Sequence, residues 1–334
     1  MKNYFVRHRI KLFIILANYF FILLIYLIST MLNFANKVVR KIQKCRETAK
    51  RKKTNSAVLN ALVNSENEQV KKIGNALRSV VHNEFSVAEI ELFNKLEQFR
   101  QDRMKSTQLI QIEDFGAGNS ESKRTAEEMS KGTVSSFTIG YLASSPSSRP
   151  AYARALYKIV EAFKFDNCIE MGTCIGISAA YQCFALQNNE KSRLVSIDGS
   201  PNLCEVSRGH LKSLGLSNFE IRAGRFVDVL PNLLNELKTV DYVFIDGHHD
   251  EKATYEYFIQ LLPYLSDFSV LIFDDVNWSD GMVRAWKLIQ KHEVFTAIID
   301  VQKFGIGLID KTSSKGVSVD AYNLTIEKNC LKKY

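Results

Sequence analysis

The side chains best suited to chemistry in this sequence stand in two short stretches, Asp246-Gly247-His248-His249 and Asp274-Asp275. Each closes a short apolar run, Val240–Gly247 and Ser269–Val276, of the kind that makes a buried strand. Three carboxylates brought together at neighbouring strand ends form a hard oxygen donor set suited to Mg2+ or another divalent cation, and an acceptor oxygen bound to such an ion loses its proton more readily. Histidine titrates close to neutral pH, so His249 suits a general base or a metal ligand, with a helix-capping role as the plainer alternative. Asp275 has its own plain reading as an exposed loop acid, and Asp280 reads as a helix N-cap.

Two further stretches point to a nucleoside. In Cys168-Ile169-Glu170-Met171-Gly172-Thr173-Cys174-Ile175-Gly176-Ile177-Ser178 a strand runs into a helix through a glycine turn with the spacing E-x-G-x-x-x-G. A dinucleotide fingerprint would read G-x-G-x-x-G, and its absence disfavours a nicotinamide-dependent oxidoreductase. An acid just before the first glycine suits a cationic ligand better than a pyrophosphate. In Val195-Ser196-Ile197-Asp198-Gly199-Ser200 the acid at the end of the next strand is placed to accept hydrogen bonds from both hydroxyls of a ribose.

These stretches need a frame that sets strand ends side by side. After Arg149-Pro150, which opens a helix through Phe163, short apolar runs alternate with helical patterns: 167–172, 193–199, 219–224, 240–247 and 269–276, each followed by a helix. That rhythm implies βαβ units and a parallel, doubly wound α/β sheet. The last two runs, Phe295–Val301 and Phe304–Asp310, are separated by Gln302 and Lys303 alone and suggest an antiparallel hairpin closing the sheet.

The ordered set resembles motif I and the following acidic loop of class I S-adenosylmethionine-dependent methyltransferases, over about half the chain, from Arg149 to Asp310. The resemblance implies a Rossmann-like fold and S-adenosylmethionine as cofactor. By it, Glu170, Gly172 and Gly176, with Thr173 and Ser178 in the same turn, line the methionine end; Asp198 and Gly199 hold the ribose; Gly224, Arg225 and Phe226 border the adenine; and Asp246 lies beside the cofactor. The stretch Asp274-Asp275 through Trp278, Gly281 and Val283 is similar to a pattern of the metal-dependent catechol and caffeoyl-coenzyme A O-methyltransferases, with one extra residue. Those families carry asparagine where Asp275 stands, and lysine where His249 stands. The I-D-G-x-H form is nearer to a bacterial group that includes macrocin-type sugar O-methyltransferases. The implied activity is methyl transfer to an oxygen of a small-molecule, sugar or lipid-linked acceptor, with Asp246, Asp274 and Asp275 on a divalent cation and His249 taking the proton. A non-catalytic membrane-anchored adaptor that keeps only the fold is the rival.

The remainder of the chain says where this would happen. Leu12–Phe34 is uncharged and long enough to cross a bilayer as one helix. Up to Lys53 there are thirteen Lys or Arg against Glu47 alone, a net +12; the whole chain carries +8, so the rest carries −4. The heavier basic flank follows the span and places the main domain on the cytoplasmic side of a single-pass protein. An acidic main domain gives no support to nucleic acid as a partner; the acceptor, the membrane and a second copy of the chain remain. The six cysteines form no CxxC pair and read as reduced. The expected organisation is an anchor over 1–36, a basic and helical segment over 37–130 with a linker from Asp114 to Lys131, a catalytic domain over 131–310 and a tail over 311–334.

Overall fold

The alternation of strand and helix patterns after residue 149 resolves into a mixed sheet covered on both faces. It is seen in a computed structural model, in which residues 36, 37, 39, 54–118, 124–145, 147–312 and 320–324 are described. The expected membrane span over 12–34 lies outside them, and among the described residues no helix is long and apolar enough to cross a membrane. The chain divides into two units, Met1–Thr54 and Asn55–Tyr334, and the second contains the sheet.

Among the described residues eight strands form the main sheet: β3 (Asn167–Met171), β4 (Arg193–Asp198), β5 (Phe219–Ala223), β6 (Val240–Ile245), β7 (Leu265–Phe273), β8 (Ala297–Val301), β9 (Phe304–Asp310) and β10 (Asp320–Asn323). Their order is β5-β4-β3-β6-β7-β9-β8-β10. Strands β3 to β7 run parallel; β9 is antiparallel to β8, as the two-residue connection at Gln302-Lys303 requires, and also to β7. The outermost strand, β10, pairs parallel with β8 and comes from the segment expected to be a tail. Four residues without a periodic pattern carry too little signal to be read as a strand.

Because successive side chains of a strand point to opposite faces, each parallel strand feeds two cores. Cys168, Tyr242, Phe244 and Ile272 join one cluster; Ile169, Met171, Val243, Ile245 and Phe273 join the other. Helices α5 (Pro150–Ala162), α6 (Ile177–Leu186) and α7 (Pro201–Ser213) cover the first face, and α8 (Phe226–Leu237), α9 (Glu251–Leu261) and α10 (Asp280–Ile289) cover the second. Ser279 caps α10 by accepting from the Met282 amide at 3.2 Å, so Asp280 is its first helical residue and not its cap.

The segment from Asn55 to residue 148 belongs to the same unit as the sheet. Helices α1 (Glu68–His82) and α2 (Val87–Met104) bury Val70, Ile73, Leu77, Val80, Phe93 and Leu96 in the first core, and α1 packs on α5. The two helices form a packing layer against that face of the sheet. The stretch expected as a linker is more ordered than that: β1 (Leu109–Asp114) pairs antiparallel with β2 (Thr133–Thr138), and α3 (Ala126–Lys131) and α4 (Ile139–Ser144) flank β2. A capping box at Thr125 and Glu128 starts α3.

The hairpin depends on Phe304, fully buried, edge-on to Tyr152 at 4.9 Å and to Phe244 at 5.6 Å. We expect Phe304→Ala to cost about 3–5 kcal/mol, read as a lower urea midpoint with an unchanged slope.

Candidate active site

The carboxyl ends of β3, β4, β6 and β7 are tied to one another by backbone hydrogen bonds that continue past the strands. The Gly172 amide donates to Ile197 O, Asp246 to Met171 O and Asp274 to Ile245 O, each at 2.8 Å, and Gly224 donates to Asp198 O at 2.9 Å. The strand order reverses at β3, where β4 leaves to one side and β6 to the other, and ligands of such sheets bind beside that point. A cavity of about 490 Å3 opens there.

Gly172, Asp198, Gly199, Arg225, Phe226, Asp246 and His249 line this cavity, as the sequence reading expects. Glu170, Thr173, Gly176, Ser178 and Gly224 do not. Glu170 is fully buried behind the turn, where it accepts from Gln182 Nε2 at 2.6 Å and from Ser196 Oγ at 2.5 Å, and Ser196 Oγ lies 2.6 Å from Thr173 Oγ1. Gly176 has φ +83° and caps α6, and Ser178 is buried one residue into that helix. These residues hold the turn from within. Gly172 must be glycine for a reason other than ligand approach: its φ is +112° and a Cβ would stand 1.9 Å from Asp246 O. Asp198 is held at both oxygens, by the Cys174 amide at 2.8 Å and the Ser200 amide at 2.9 Å.

The cavity has walls that sequence alone does not reveal. The stretch from Ile112 to Gly118, with Ala126, Met129 and Ser130, closes one side. A Cβ on Gly199 would come within 2.6 Å of the Phe115 ring, so that ring packs against the ribose-binding loop. Arg124 fixes the stretch through Asp114 Oδ2 at 2.8 Å and Gly116 O at 3.0 Å, and the Ala117 amide donates to His248 O at 2.8 Å. Nothing periodic marks these residues; only the return of the chain over the sheet brings them here. His248 and His249 both have left-handed backbone, φ +68° and +48°, a strained turn held by a hydrogen bond between His248 Nδ1 and Tyr257 Oη, 2.7 Å long.

Asp246, Asp274 and Asp275 converge as their strand ends imply, with His249 Nε2 at 3.7 Å from Asp246 and 3.9 Å from Asp275. A fourth side chain stands among them. The Lys303 ammonium, from the β8–β9 turn, bonds to Asp274 Oδ2 and lies 3.4 Å from Asp275 Oδ1. The expected divalent-cation site therefore does not fit the residues as placed: the charge it would neutralise already faces an ammonium, which offers no lone pair to a metal. Among the described residues no group of three or more His, Cys, Asp and Glu side chains is arranged to hold a metal ion. Burial pushes Asp274 up to about 8, with the neighbouring Asp246 adding to it. Burial works against the charge on Lys303, but Asp274, Asp246 and Asp275 outweigh it and hold the ammonium above the ordinary lysine range. The four cysteines among the described residues are free thiols, with Cys174 at the cavity wall.

Residues 169–276 match a family model described as a methyltransferase domain. The chain carries an S-adenosylmethionine-dependent methyltransferase domain of class I. It is similar to a catechol O-methyltransferase of Niastella koreensis, 27% identical over 181 residues that make up 52% of this chain and 77% of the relative. Among solved structures it is similar to an O-methyltransferase from Bacillus cereus in complex with SAH (TM-score 0.44, 23% identity, 50% of this chain and 84% of that one). It is also similar to the O-methyltransferase TomG from Streptomyces achromogenes in complex with SAM (TM-score 0.43, 20% identity, 50% and 83%). The methyltransferase domain fits such a cofactor on its own geometry: a nucleoside-sized cavity, a carboxylate held open at its wall, and a glycine turn beneath.

Burial raises Glu170 to about 7 and Asp198 to about 6. Both folded values exceed the unfolded ones, so the ligand-free fold binds protons more tightly than the unfolded chain. The stability these groups contribute is full below about pH 4 and is lost as pH rises through about 6 to 7. We expect the urea midpoint of the ligand-free protein to fall between about pH 5 and pH 8, and Glu170→Gln to flatten that fall by on the order of 2–3 kcal/mol.

Proposed function

We propose that this protein transfers the methyl group of S-adenosylmethionine to an oxygen of a small-molecule, sugar or lipid-linked acceptor. The observation that carries the reading is the continuity of one cavity from Asp198 and Phe226, at a nucleoside end, to Asp246 and His249, at the end where an acceptor would enter. When bound, the cofactor supplies a sulfonium methyl that passes in line to the acceptor oxygen as its bond to sulfur breaks. The residues do the rest. Asp198 takes the ribose hydroxyls with both oxygens already oriented by backbone amides. Asp246 and His249 flank the acceptor end, and His249 Nε2 accepts the hydroxyl proton, the imidazolium being stabilised by Asp246 and Asp275 on either side. The segment around Phe115 and Met129 screens the cavity from water, which favours in-line approach over hydrolysis.

We also propose that residues 12–34 hold the protein to a membrane with this domain on the cytoplasmic side, which supports an acceptor at or in the membrane; the length of the apolar run and its basic flanks carry this. Extraction by detergent but not by alkaline carbonate is the expected behaviour.

Isothermal titration of the full chain in detergent with S-adenosylmethionine tests the main reading. We expect micromolar affinity, weakened about 10- to 100-fold by Asp198→Ala and weakened at pH 5 relative to pH 8, because Asp198 protonates on acidification through about pH 6. Absence of binding in the intact chain at either pH would leave the adaptor reading. With a catechol as trial acceptor, suggested by the name of the relative, His249→Asn should lower kcat about 10^2- to 10^4-fold and leave cofactor affinity unchanged.

A further inference from the structure

The charge balance at the ends of β6 and β7 sets a problem that the proposed reaction does not by itself resolve. Asp274 is fully buried, and Asp246 and Asp275 stand against it, with side chains 16% and 27% exposed. Buried carboxylates in such proximity are met by a cation or a metal, or else take up a proton, and burial beside Asp246 raises Asp274 to about 8. Here the pairing cation belongs to the chain. Lys303 reaches in from the turn between β8 and β9, its ammonium bonded to Asp274 and 3.4 Å from Asp275, and its side chain is 24% exposed.

The arm that delivers it is pinned. Val276 donates its amide to Lys303 O at 3.1 Å, and Asn277 Nδ2 donates to Gln302 O. These two bonds join the hairpin to the loop that carries Asp274 and Asp275. Within the hairpin, Gln302 is left-handed at φ +63°, and its amide bonds to Asp300 Oδ1 at 3.0 Å, which fixes the turn from the other side. The Lys303 ammonium lies over the Phe304 ring, its nitrogen 5.8 Å from the centroid. A metal ion entering the cluster would have to expel an ammonium held by a turn of fixed geometry, or accept a like charge a few ångströms away.

We propose that Lys303 is the resident cation of the Asp246–Asp274–Asp275 cluster, standing where a divalent ion would otherwise bind, so that the protein holds its acceptor end together without a metal. This rests on the proposed methyl transfer only for its relevance to catalysis; the cation assignment stands on the cluster itself. Lys303 is a positioning residue in this scheme. Its ammonium fixes Asp275 directly and Asp246 through Asp274, and those two carboxylates flank the His249 imidazole.

The test is direct titration of the full chain with Mn2+, followed by calorimetry and by the loss of the free-ion paramagnetic signal, in wild type and in Lys303→Met. Methionine keeps the length of the stem and removes the charge. Wild type should bind no Mn2+ up to millimolar concentration, and chelation should leave its affinity for S-adenosylmethionine unchanged. Lys303→Met should gain Mn2+ binding at least tenfold tighter than wild type, and the gain should vanish when Asp274→Asn is added. Micromolar Mn2+ binding by wild type that Asp274→Asn abolishes overturns the proposal, as does a folded Lys303→Met that gains none. Should the methionine variant not fold, Lys303→Gln is read the same way, and the wild-type titration decides by itself whether a metal already has the site. S-adenosylmethionine titrated into the same samples keeps this outcome separate from that of the methyltransfer reading: cofactor binding with micromolar Mn2+ sinks only the cation assignment, and Mn2+ exclusion without cofactor binding sinks only the activity.

Discussion

Four carboxylates, Glu170, Asp198, Asp246 and Asp274, stand buried or nearly so at the ends of adjacent strands, with Asp275 beside them, and each needs a donor to offset its burial. Burial of a charge costs several kcal/mol unless hydrogen bonds or an opposite charge offset it. Glu170 is met by Gln182 and Ser196 from inside the fold. Asp198 is met by two backbone amides, which leave its position open to the cavity. Asp274 is met by Lys303, and Asp246 shares the neighbourhood of Asp274 and His249. The donor chosen decides the role open to each acid: the residue satisfied within the fold supports the turn, and the one held by amides at a cavity wall is free to take a ligand.

The same constraint explains the backbone of the site. Strand ends close enough to exchange hydrogen bonds leave no room for a Cβ at Gly172, and the chain beyond β6 turns so sharply that His248 and His249 are both left-handed. Strain of this kind, on the order of 1–3 kcal/mol per residue, persists only where the surroundings enforce it. Tyr257 and the Ala117 amide supply that enforcement here. The Phe115 stretch thereby closes the cavity and also holds the histidine turn, which links the segment before residue 149 to the chemistry of the sheet.

Periodicity and spacing are enough to show a parallel α/β sheet with a closing hairpin and the strand ends to inspect, with Gly172, Asp198, Asp246 and His249 among them; Gly199, Arg225 and Phe226 come from the resemblance to class I methyltransferases. These are legible because they depend on neighbours in sequence: alternation fixes strand faces, and a glycine or acid one residue past a strand lies at its end by construction. Glu170 shows the limit of that logic. Its place in the motif suits a ligand contact, but only the packing of α6 and β4 shows that Gln182 and Ser196 have already claimed it.

Contacts made across large separations in the chain are illegible by the same reasoning. Lys303 lies in a two-residue turn with nothing local to mark it, and it reaches Asp274 only because β9 inserts between β7 and β8. Phe115 and Arg124 read as linker because their partners are in another part of the fold. The four-residue β10 is too short for a pattern and gains its pairing only from the edge that β8 presents. Which elements form, and which acids stand at their ends, is written in the order of residues, since both follow from local stereochemistry. Which of those acids are already partnered, and by which cation, is settled only on folding, because charge compensation falls to whatever side chain the fold brings within a few ångströms.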